Sequence, residues 1–133
     1  MNYAEIKVKN HKKYNKKIVF IIFEECDINS EDKLDVVINE YHKIIKENPG
    51  ICSIVDARNV KGFSKTLAFS KAKTLKKYEE LVKANLTSMS ILLTSPVLKM
   101  LMTAVTKIHP FVVPTKVVNS NSEATEFVIE FMK

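Results

Sequence analysis

The chain of 133 residues has no Trp, two Gly and two Cys, and among its 21 basic side chains only one, Arg58, is arginine. Each shortage excludes something. Two glycines cannot build a Gly-rich loop around a phosphate, and a Trp-based site is unavailable. Cys26 and Cys52 form no CxxC and have no His at ligand spacing, so they read as reduced core thiols. No GxSxG occurs, and no Cys or Ser has an evident base. His11, His42 and His109 are too far apart in sequence for a shared helical site, and none adjoins paired carboxylates. His42 reads as solvent-facing and His109 as a favourable charge at a helix C-terminus. The expectation is no catalytic, cofactor or metal site, hence not an enzyme. The first ten residues lack an apolar segment of the secretory kind, and the apolar stretch 97–113 is broken by Lys99, Lys107, His109 and Pro110. Neither a signal peptide nor a membrane span is expected, and the location expected is cytoplasmic.

What is present is lysine. It supplies nearly all of the net charge of +6. Bidentate phosphate clamps and base readers favour the planar fork of arginine, so a lysine-only surplus argues against nucleic acid as the partner. A hydrophobic fraction of 46% beside 27% charged residues is that of one globular domain, spanning 1–133.

The pattern along the chain alternates strand and helix. Tyr3–Lys9 alternates apolar and polar residues as a half-buried strand does, and Lys17–Glu25 is continuously apolar and β-branched. A helix follows over Glu31–Glu47, capped by Ser30 and stopped by Pro49-Gly50. Ile51–Asp56 is a strand, Ser64–Ala84 a helix with a lysine-rich outer face, and Ser88–Thr94 a strand. Ser95-Pro96 opens a third helix that ends before Pro110. Lys116–Asn119 is a short strand, and Ser120 with Glu123 makes a capping box for a helix to Met132. The order β-β-α-β-α-β-α-β-α predicts an α/β fold: an open mixed sheet of about five strands with four helices.

Three stretches make this order recognisable. Ile54-Val55-Asp56-Ala57 is an apolar strand ending in an acid. Ser90-Ile91-Leu92-Leu93-Thr94 runs into a helix carrying Val97, Leu98 and Leu101. Lys116-Val117-Val118-Asn119-Ser120 is followed by Glu123-Ala124 and Phe127-Val128. Together they resemble the STAS domain, and more closely the small SpoIIAA-like, CRAL-TRIO-related bacterial proteins. The resemblance implies a non-enzymatic regulatory module that binds a protein partner. Its phosphorylated members carry an Asp-Ser pair that falls here on Ser64-Lys65, so the acceptor position is a lysine. The alternative it implies is a lipid or apolar-ligand module of the CRAL-TRIO kind. Those domains are larger, and a core filling 133 residues is expected to leave little spare volume.

Two contact surfaces stand out. One is the loop Asp56–Thr66 at the carboxyl end of a parallel strand, where open α/β sheets bind ligands. There Arg58, Lys61 and Lys65 could meet an anionic partner beside Asp56, Ser64 and Thr66; the bland alternative is an Asp56–Arg58 pair and a Ser64 helix cap. The other is Met100–Pro114, where Met100, Met102, Ile108, Phe111 and Val112 exceed what one buried helix face needs. That surplus suits a second copy in a homodimer, a protein partner, or a lipid or anionic membrane surface.

Overall fold

The computed structural model describes residues 2–133. Strands β1 (Ala4–His11) and β2 (Lys16–Phe23) form an antiparallel hairpin in which Ala4 faces Phe23 and His11 faces Lys16. Asn15 closes the hairpin at φ 51°, a left-handed conformation that Asn tolerates because its side chain bonds locally. The chain then runs through β3 (Cys26–Ile28), α1 (Glu31–Glu47), β4 (Ile51–Asp56), β5 (Val60–Phe63), α2 (Lys65–Thr74), a 3-10 turn at Leu75–Tyr78, and α3 (Glu79–Asn85). It finishes with β6 (Leu86–Leu92), α4 (Pro96–Ile108), β7 (Thr115–Val118) and α5 (Asn121–Glu130).

The main sheet has the order β1-β2-β4-β6-β7, with every pair after the hairpin parallel. The connections β2-α1-β4, β4-α2-α3-β6 and β6-α4-β7 all step the same way across it. Right-handed crossovers stepping one way place their helices on one face, which leaves the opposite face to α5. Ser30, Ser64, Ser95 and Ser120 cap α1, α2, α4 and α5, each hydroxyl accepting from the amide three residues on, at 3.2–3.4 Å. Each such cap contributes about 1 kcal/mol. Gly50, at φ +86°, makes the reversal after α1 that a side chain would strain.

The predicted element order is that of the main sheet, with two differences. β3 and β5 add a small parallel ribbon, in which Cys26 lies beside Val60 and Ile28 beside Phe63. Runs of three and four residues carry no period of their own, and only their mutual pairing makes them strands. The helix expected over Ser64–Ala84 is broken at the 3-10 turn. There Thr74 Oγ1 donates to the Lys71 carbonyl at 3.0 Å and Tyr78 stacks on His42 of α1 at 3.9 Å. That contact between two helices has no local signature.

The two faces of the sheet are packed differently. On the α5 face, β4 and β6 present Cys52, Ser88 and Ser90, all fully buried, and α5 presents Ala124 and Val128. These small groups let the helix backbone approach, so that Ser90 Oγ donates to the Ala124 carbonyl at 2.8 Å. The other face carries Ile21, Met89, Ile91 and Leu93 against Leu34, Val37, Leu67 and Leu98. Of α4, only Leu98 is buried there.

Candidate functional site

That loose contact with α4 leaves an open-mouthed cavity of about 420 Å³ between the sheet and the helix layer. The expected shortage of spare volume does not hold. Phe23, Val55, Met89 and Ile91 form the floor; Ile38 and Tyr41 of α1 form one wall; Ala68 and Ala72 of α2 stand opposite; Leu101, Met102 and Val105 of α4 close the outer side. The small residues on α2 are what opens the space, because a larger side chain at Ala68 or Ala72 would project into it. Sites for small molecules are commonly concavities of this size with apolar walls and a few placed polar groups.

The polar groups are few and mostly engaged. Tyr41 Oη donates to Met89 Sδ at 3.8 Å, and burial pushes the Tyr41 hydroxyl up to about 12, the Ser53 hydroxyl beneath it opposing the shift. Ser53 itself is fully buried, and its Oγ makes no well-aligned hydrogen bond among the described residues. His42 is 7% exposed, not solvent-facing as expected, because the ring packs between Tyr41 and Tyr78. Its Nδ1 lies 2.7 Å from the Ile38 carbonyl. A carbonyl only accepts, so Nδ1 carries the proton and Nε2 remains an acceptor. Desolvation holds the His42 pKa below its ordinary value, with Lys77 adding to the effect and the Ile38 carbonyl opposing it. The imidazole is neutral at pH 7.

Lys71 departs from the lysine-rich outer face expected for α2. Its side chain is 9% exposed and bonds Asp35 at 2.7 Å and Glu31 at 2.8 Å, tying α2 to α1 beside the cavity. Those two carboxylates hold its ammonium above the ordinary lysine range. His109 caps the end of α4, and its Nδ1 is buried without a partner among the described residues.

The two surfaces singled out in the sequence lie apart in kind. Asp56 ends β4 and takes a bidentate pair from Arg58, with Nη2 to Oδ2 at 2.7 Å and Nε to Oδ1 at 3.0 Å. That pair holds the Asp56 carboxyl below its usual range. Lys61 on β5 pairs with Glu25 at 2.6 Å, Ser64 caps α2, and Lys65 and Thr66 are exposed in its first turn. Of the apolar stretch, Met102, Phe111 and Val112 line the cavity, whereas Met100 and Ile108 point to solvent at 73% and 62% exposure. In the sequence the cavity is marked only by Ala68 and Ala72, small residues set beside Leu67 and Leu75.

Cys26 is half-buried and Cys52 buried; desolvation first, with Asp27 and Glu24 adding at Cys26, keeps both thiols protonated. Among the described residues no three His, Cys, Asp or Glu side chains converge as a metal site would need. No helix among them is long and apolar enough to cross a membrane.

A family model described as a domain of unknown function, DUF7793, matches residues 13–132. The chain belongs to the DUF7793 family. The matched span takes in every element that lines the cavity. No curated protein matches the sequence. Among solved structures, the chain is similar to an uncharacterised protein of the DUF3478 family with a SpoIIAA-like fold, from Shewanella loihica PV-4. The TM-score is 0.62 at 10% identity, over 96% of this chain and 94% of that one. This DUF7793 protein therefore has a SpoIIAA-like fold.

Proposed function

We propose that the protein is a non-enzymatic binding module for a small apolar ligand held between the sheet and the helix layer. The observation that carries this reading is the cavity of about 420 Å³, whose walls are hydrocarbon and whose polar groups are few. At about 30 Å³ per water-sized group, it accommodates on the order of fourteen heavy atoms, the scale of a medium acyl chain or a small polycyclic molecule. Burying such a chain draws on the hydrophobic effect, while His42 Nε2 and the flexible Lys76 offer one polar end a partner. Native mass spectrometry after gentle extraction, followed by titration with medium-chain fatty acids and a fluorescent apolar probe, tests it. A bound mass or saturable uptake is the expected result; a clean apo mass with no uptake of either would overturn the reading.

A second reading, a regulatory module that binds a protein partner through the Asp56–Thr66 loop, draws its support from the SpoIIAA-like fold. The chemistry of the loop favours it less. Arg58 and Lys61 already hold Asp56 and Glu25, and the position aligned with the phosphorylated serine is Lys65.

A further inference from the structure

We infer that the outer surface of the helix layer docks on an anionic lipid bilayer, with α4 lying in the membrane interface. Two independent observations meet on this surface. The first is a stripe on α4. Val97, Met100, Ala104 and Ile108 recur at helical spacing on the side away from the cavity, with Val97 and Met100 73% exposed and Ile108 62%. The inner side of the same helix already lines the cavity, so α4 is apolar on two sides. A helix of that kind is normally covered on both. Phe111, 42% exposed, lies just beyond the end of the helix.

The second observation is the distribution of charge. The stretches Ala57–Tyr78 and Thr87–Ser122 hold ten basic and no acidic side chains, against eleven basic and fifteen acidic over the rest of the chain. They build α2, the 3-10 turn and α4, which are neighbours on one side of the sheet. Arg58, Lys61 and Lys71 are taken up in ion pairs. Lys65, Lys73, Lys76, Lys77 and Lys107 are exposed and make none among the described residues. A second copy seated on the stripe would bring these lysines toward their equivalents. A nucleic acid would leave the stripe in water. An anionic bilayer satisfies both features: the stripe enters the headgroup boundary while the lysines meet the lipid charge. Docking of this kind does not depend on the cavity being filled.

Flotation of the full chain with vesicles tests the inference. Binding is expected to phosphatidylcholine vesicles containing phosphatidylglycerol, weakening as salt rises, with little binding to phosphatidylcholine alone. Met100→Glu with Ile108→Glu alters only exposed positions and is expected to abolish binding without changing the circular dichroism or thermal midpoint. Lys76→Gln with Lys77→Gln is expected to lower the partition coefficient roughly five-fold per lysine. Absence of binding to the anionic vesicles at low salt would overturn the inference, as would equal binding to neutral vesicles or unchanged binding by the glutamate pair. A dimer that the glutamate pair dissociates would also overturn it, by making a second copy the occupant. Filling the cavity at Ala72 should leave vesicle binding intact, which separates a failure here from a failure of the ligand site.

Discussion

Replacing Ala72 by Leu asks directly whether the space beneath α2 is empty in solution. Ala72 lines the cavity from the last turn of α2, and Leu is nearly as good a helix former as Ala. Leu adds three carbons, and at about 0.8 kcal/mol per buried methylene the gain is roughly 2 kcal/mol. Ordering the side chain costs about 0.5–1 kcal/mol. The net expectation is a stabilisation of about 1–2 kcal/mol. Had the helix layer already closed on the sheet, the same substitution would overpack it and cost about 1–3 kcal/mol, so the sign discriminates. Urea unfolding measures it: at the slopes usual for small domains, a shift of about 1 kcal/mol moves the midpoint by roughly 0.5–1 M. Uptake of the apolar probe should fall in parallel. A destabilised variant would refute the open cavity, and a stabilised variant that still takes up the probe would refute the cavity as the ligand site.

Tyr41→Phe should remove an alkaline transition. Because burial raises the hydroxyl to about 12, the folded state favours the phenol: its stability is whole below the ordinary value near 10 and is lost as pH rises through about 12. At about 1.4 kcal/mol per pH unit, the parent should lose about 2–3 kcal/mol relative to Tyr41→Phe across that window, read from urea midpoints at successive pH values. His42 has the opposite sign. Its lowered pKa gives stability that is whole above the ordinary value of 6.5 and is lost as pH falls below it, so His42→Phe should flatten the acid side of the stability profile. Arg58→Ala should cost at most about 1 kcal/mol at pH 7, since the pair with Asp56 is partly exposed, and the cost should vanish as pH falls and Asp56 protonates.

The main sheet and its helices were legible because each long element carries its own period and its own punctuation. Helix α1 runs over the same residues as expected, set by Ser30 at one end and Pro49-Gly50 at the other, and β4 keeps its predicted bounds. The fold class followed, since strands separated by helices have few ways to close a sheet. The sequence also stated its charge segregation outright: acids are missing from two long stretches whatever the fold. Tertiary structure alone decided that those stretches lie side by side, since only the direction of the crossovers puts α2 and α4 on one face. It alone decided that His42 is buried, because the stack with Tyr78 joins residues 36 positions apart on different helices. The cavity was likewise beyond the sequence. Volume in a core is the difference between what facing elements supply and what they must fill, and Ala68, Ala72 and the half-buried inner side of α4 register as space only once the helix layer is set against the sheet.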